Sequence, residues 1–95
     1  MATPATTADA GSALHVSVIT PEATIYEGEA VEVVAPAYNG SLGILKGHAP
    51  LMALLGTGTL CIDAGGSSKS YAVSGGFLQV VDDTVTVLSE SATAA

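Results

Sequence analysis

Gly40-Ser41-Leu42-Gly43-Ile44-Leu45-Lys46-Gly47-His48-Ala49-Pro50-Leu51 interrupts an otherwise apolar chain with three glycines, one histidine and one proline. Glycine accepts positive φ and close backbone approach, so Gly40, Gly43 and Gly47 are expected as tight turns flanking the short apolar run Leu42, Ile44 and Leu45. That run reads as a strand held between two corners. Pro50 lacks an N–H and biases Ala49 toward extended backbone, so the chain leaving His48 cannot begin a helix. His48 is thereby displayed on a corner.

Outward from this stretch, strand patterns fill the chain. Leu14, Val16 and Val18 alternate with His15, Ser17 and Thr20, the period of a half-buried strand, and Thr20-Pro21-Glu22 ends it in a turn. Residues 24–35 are rich in β-branched side chains. Gly28 reads there as a bulge or corner, Val31, Val33 and Ala35 share one face, and Pro36 closes the segment. Residues 51–55 and 57–63 form short strands separated by Gly56, and Gly65-Gly66-Ser67-Ser68 loops into a return arm at 70–74. Gly75 and Gly76 turn a sharp corner into 77–81, and Asp82-Asp83 reads as a two-residue hairpin turn into 84–88. No amphipathic helix is present in this pattern. The fold class is therefore all-β, a small flattened sandwich or barrel of roughly eight to ten short strands without a helical domain. Residues 13–90 form the domain, with 1–12, rich in Ala and Thr, and 91–95, small and polar, expected as disordered tails.

At 95 residues the chain holds one domain, and a domain of this size buries only about 60% of its unfolded surface. Its apolar fraction of 48% is high for that size, yet no run approaches the roughly 18 apolar residues of a membrane helix. Nine acidic residues against Lys46 and Lys69 leave a net charge of −7. That charge repels nucleic-acid phosphates and anionic headgroups, so neither nucleic acid nor direct membrane insertion is expected. Cys61 is the single cysteine, which excludes an intrachain disulfide and fits a cytosolic setting. The N-terminus has neither the basic start nor the apolar centre of a secretory signal.

The apolar residues exceed what a thin core can absorb. Leu51-Met52-Ala53-Leu54-Leu55, Phe77-Leu78 and Val80-Val81 are apolar on both parities, although one face of a strand meets the core. No helix is available to cover the other face, so it reads as a protein interface that includes Met52 and Leu54 or Leu55, with His48 at its edge. Two readings of His48 stand: an interface residue, or a turn residue that hydrogen-bonds locally. No catalytic chemistry is expected. His15, His48 and Cys61 lack metal-ligand spacing, so neither a metal nor a cofactor is expected. Lys46 precedes Gly47 with no Ser or Thr after it, unlike a phosphate loop. Ser74 follows Val73 rather than lying between spaced glycines, unlike a nucleophile elbow. Glu27, Glu29 and Glu32 read as a solvated strand edge.

Three blocks carry a family resemblance: Leu14 to Glu22 followed by Ile25-Tyr26-Glu27-Gly28, the stretch from Gly40 to Leu51, and Tyr71 to Val80 with Ser74-Gly75-Gly76-Phe77. In this order and spacing they closely resemble the N-terminal β-domain of the epsilon subunit of F-type ATP synthases. The resemblance implies a non-catalytic central-stalk subunit that clamps the gamma subunit, rests on the polar loops of the c-ring and meets the catalytic head indirectly. It also implies a peripheral position at the cytoplasmic face of the bacterial inner membrane. On this reading His48, Pro50, Met52, Leu54 and Leu55 face gamma, and Tyr38, Asn39, Gly40 and Ser41 face the c-ring. Gly43, Gly47, Gly75 and Gly76 shape the turns. Two positions depart from the family's pattern. Ser41 stands where many relatives have an acidic residue, and Lys46 where proline is common. The family often continues into a helical hairpin, so a chain ending at Ala95 is expected to be a short form without it. The competing readings are a free-standing ligand-binding sandwich, disfavoured by few aromatics, and an assembly factor using the same fold.

Overall fold

The computed structural model describes residues 13–95; the expected tail at 1–12 lies outside them. The described chain forms ten strands: β1 (Leu14–Ile19), β2 (Thr24–Ala30), β3 (Glu32–Ala37), β4 (Gly40–Leu45), β5 (Leu51–Leu54), β6 (Thr57–Asp63), β7 (Ser68–Ser74), β8 (Phe77–Val81), β9 (Thr84–Leu88) and β10 (Ser91–Ala94). They make two five-stranded sheets, ordered β2-β1-β9-β8-β5 and β10-β7-β6-β3-β4. All neighbours are antiparallel except β1 and β9, which run parallel in the middle of the first sheet. The all-β sandwich expected from the alternation is the fold observed.

Alternation decides which side chains face inward. Leu14, Val16 and Val18 of β1 lie beside Val85 and Val87 of β9 and Leu78 and Val80 of β8, all fully buried. Val33, Ala35, Ile44, Leu60, Ile62 and Val73 form the opposing layer. Each buried valine, leucine or isoleucine among them contributes about 1.5–3 kcal/mol by leaving water. Tyr26 and Tyr71 pack between the sheets with ring centroids 6.3 Å apart.

The chain reverses within a sheet, or passes between sheets, at short corners. Asp82 and Asp83 both adopt positive φ, 50° and 59°, the conformation of a type I′ hairpin turn whose twist matches the flanking strands. Gly75 and Gly76, at φ 69° and 102°, carry the chain from β7 to β8. A Cβ on Gly76 would clash with the Leu88 carbonyl oxygen and lie 2.8 Å from Ser89 Cα. Ser89 is buried at the β9 to β10 switch, where its hydroxyl donates to the Ser91 carbonyl at 2.7 Å and accepts from the Ser74 N–H at 3.3 Å.

Several expectations are corrected. Residues 24–35 form two strands broken at Val31, which is exposed rather than on the core face and donates its N–H to the Asp63 carbonyl at 2.7 Å. Gly28 sits in regular register opposite Val16, and the irregularity lies between Val18 and Ile19. Pro36 does not close β3 but lies within it, opposite Ser41. The ladder with β6 has ended at Val34, so no donor is missed there, and the Pro36 carbonyl accepts from the Gly56 N–H at 2.7 Å. Gly43 is no turn: it is mid-strand in β4, opposite Val34. Residues 91–95 are not a tail, since Ser91–Ala94 pairs with Ser74–Tyr71 of β7 and the Ala95 N–H donates to the Ser70 carbonyl at 2.9 Å.

Candidate functional site

β5 is one of the two edges of the first sheet, opposite β2. Unlike β2, which carries Glu27 and Glu29, it has no charge to protect that edge. Leu51 and Ala53 turn toward the core, while Met52 and Leu54 are 64% and 66% exposed. Met52 lies opposite Gln79 and Leu54 opposite Phe77, and Phe77 in turn faces Leu88, which lies beside Ile19. An apolar row, Leu54-Phe77-Leu88-Ile19, therefore crosses four strands on the outer face. Its far end opens into a shallow groove bordered by Thr20, Pro21 and Gly76. This row escaped sequence reasoning because its members are spread along the chain and meet through pairing register alone.

Leu55, expected on the outer strip, is 6% exposed and belongs to the core. There the chain leaves the sheet, making a single bridge to Ala37, and the change of direction turns two successive leucines to opposite environments. Beside it, the β3–β4 hairpin tip carries Tyr38, Asn39, Gly40 and Ser41, all exposed, with Tyr38 at 81% and Gly40 at φ 137°. The Tyr38 N–H donates to the Leu54 carbonyl at 2.9 Å. The two sets of residues assigned to different partners thus adjoin at one end of β5.

The other end of β5 begins at the corner 46–50. Gly47 takes φ 85°, and Pro50 is exposed. His48 is half-buried; its N–H donates to the Leu45 carbonyl at 3.1 Å, and Nδ1 lies 2.8 Å from the Ala49 carbonyl oxygen. Asp83 reaches this corner from the β8–β9 hairpin. Its Oδ1 accepts from the Gly47 N–H at 2.7 Å and its Oδ2 from Lys46 Nζ at 3.0 Å. No spacing signal announces this contact, because its partners stand 36 and 37 positions apart.

These bonds, first that from Gly47 and then that from Lys46, hold the Asp83 carboxyl below the usual aspartate range. A value depressed in the folded chain gives stability that is present above the unfolded pKa and lost as pH falls through the folded one. The stability difference between the wild-type chain and Asp83→Asn is therefore expected to be flat from neutral pH down to about pH 5 and to shrink below about pH 4. Urea unfolding across that range checks it; a difference that shrinks already between pH 7 and 5 would contradict the assignment.

Other candidate groups stand apart. His15 is exposed, with Nε2 3.4 Å from Glu27 Oε2. Cys61 is half-buried and lies 3.7 Å from the Ser70 hydroxyl. Among the described residues no three His, Cys, Asp or Glu side chains gather as a metal site would require.

The profile of the ATP synthase delta/epsilon chain beta-sandwich domain matches residues 13–95. The chain belongs to this family. Among curated relatives, the ATP synthase epsilon chain of Leptospira borgpetersenii is 48% identical over 77 residues, which cover 81% of this chain and 61% of that one. The epsilon chain of Solibacter usitatus is 47% identical over 79 residues, covering 83% and 59%. The chain thus spans about three fifths of the length of these epsilon chains. A chain in the Euglena gracilis mitochondrial ATP synthase (OSCP/F1/c-ring, rotational state 1) superposes with a TM-score of 0.80 at 24% identity, covering 86% of this chain and 53% of that one. One in the Tetrahymena thermophila mitochondrial ATP synthase central stalk and c-ring gives 0.71 at 20%, covering 84% and 65%. At such identities these two matches speak for the delta/epsilon fold alone.

Proposed function

We propose that this domain is a non-catalytic part of the central stalk of a rotary ATP synthase, at the cytoplasmic face of a bacterial inner membrane. It binds gamma through the β5 edge and the c-ring loops through the β3–β4 tip, and meets the catalytic head only through gamma. One observation carries the interface reading: Met52 and Leu54 stand exposed on an edge strand without a charged residue, continuous with the apolar row of Phe77, Leu88 and Ile19. Such a patch is the mark of a protein–protein contact. His48 and Pro50 flank it at one end. At the other, Tyr38, Asn39, Gly40 and Ser41 form a polar tip suited to polar loops. Ser41 offers a neutral hydrogen bond there, which contributes about 1 kcal/mol net. A sandwich stitched by short corners is rigid enough to pass torque between two such surfaces.

Met52→Asp tests the reading. Burying an aspartate in an apolar contact removes about 1.5–3 kcal/mol of methionine burial and adds a desolvated charge. Affinity for the gamma subunit of the same enzyme is expected to fall by at least about tenfold, with the chain still folded because the side chain lies outside the core. Undiminished co-purification with gamma would overturn the assignment.

A further inference from the structure

Residues 46–50 cross from the second sheet to the first and deliver the chain to β5. Their hydrogen bonds divide sharply. His48 bonds only to its neighbours, through Leu45 and Ala49. Among the described residues, every hydrogen bond from this crossing to a distant part of the chain ends on the Asp83 carboxylate, one oxygen taking the Gly47 N–H and the other Lys46 Nζ. Asp83 is itself fixed. It occupies the second position of the type I′ turn at φ 59°, and its carbonyl accepts from the His15 N–H at 2.9 Å, which anchors the hairpin to β1.

We propose that Asp83 is a positioning residue for the gamma-facing edge: by clamping Lys46 and Gly47 it holds the 46–50 crossing and presents His48, Pro50 and Met52 in an ordered form. This rests on the reading of β5 as the gamma-binding edge. β5 is short and has a strand neighbour on one side only. Its far end is held by the Tyr38 to Leu54 bond and the Ala37 bridge. Its near end relies on the crossing that Asp83 ties down. A contact strip already ordered in the free protein loses less conformational freedom on binding, so a residue that never touches gamma sets the affinity. The clamp is charge-assisted on both oxygens, and such bonds are stronger than neutral ones.

The variants separate the clamp from the turn. Asp83→Gly removes both bonds and suits positive φ, so the hairpin backbone is left unstrained. Asp83→Asn tolerates the same φ and keeps an acceptor for Gly47 but drops the charge on Lys46. Lys46→Met removes the ammonium and keeps the apolar stem. Amide hydrogen exchange on the free chain is expected to quicken by at least about tenfold at Gly47, His48 and Leu51 in Asp83→Gly, while Val85, Val87 and Leu78 stay protected. Gamma binding is expected to weaken about five- to tenfold in Asp83→Gly and less in Asp83→Asn and Lys46→Met. Partial rescue by asparagine is the mark of positioning through Gly47. Exchange that stays slow at His48 and Leu51 in Asp83→Gly overturns the clamp whatever gamma does. Local fast exchange with unchanged gamma affinity overturns the positioning role while leaving the interface in place. A wild-type chain that does not bind gamma overturns both the interface and the role built on it.

Discussion

Replacing Gly76 by alanine is expected to remove most of the folding free energy. The position is at φ 102°, where an L side chain is strained. The space is also taken: the new Cβ would clash with the Leu88 carbonyl oxygen and crowd Ser89 Cα. Both are backbone atoms of the β9 to β10 switch, so no side chain can swing away. Relief requires the corner itself to move, which pulls Phe77 out of register with Leu88 and disturbs the Ser89 hydroxyl that serves Ser74 and Ser91. The cost is expected to exceed about 4 kcal/mol, a value reserved for such special mechanisms. Urea unfolding measures it, and a loss below about 1 kcal/mol would refute the close approach.

Leu78→Ala is expected to cost about 2–5 kcal/mol through lost burial and the cavity left behind. Leu78 is fully buried in β8, paired with Val87 on one side and Ala53 on the other. A domain of roughly eighty ordered residues has about 4–12 kcal/mol of stability in all, so this one change leaves the chain marginal. Leu54→Ala, one strand away but outside the core, is expected to stay within about 0.5 kcal/mol. Parallel denaturation curves decide; equal losses at the two leucines would mean that the outer row is part of the core.

The contrast between these leucines marks where sequence reasoning held and where it stopped. Inward positions of β1 and β9 were legible because Val and Leu alternate with polar residues there, and Asp82-Asp83 and Gly75-Gly76 signal turns by residue type. Leu55 was not legible, since its burial comes from the chain leaving the sheet rather than from parity. Ser91–Ala94 carries no apolar period, because its strand is made by ladder bonds to β7 with only small side chains to pack. Gly43 and Pro36 misled for the same reason. Residue types that usually punctuate a chain are tolerated within strands when register leaves them no unmet demand. The Lys46 to Asp83 contact and the outer apolar row depend on which strands become neighbours, and that information is absent from any local window. The proposed interface residues of β5 were half legible: their excess of apolar character could be counted, but Leu54 and Leu55 could not be told apart.

The parallel pairing of β1 with β9 bears on how the molecule is made. His15 meets Thr84 roughly seventy positions further along, in the centre of a sheet rather than at its rim. Loop closure over such a separation is entropically unfavourable until many other contacts form. The first sheet can therefore be completed only after nearly all of this domain has left the ribosome. Until then β1 and β2 form a hairpin with one open, apolar flank, a form prone to mispairing with other nascent chains. Folding is expected on the slow, millisecond-to-second scale of nonlocal β topologies, and early capture of β1 by a chaperone or by the proposed partner would guard that flank during synthesis.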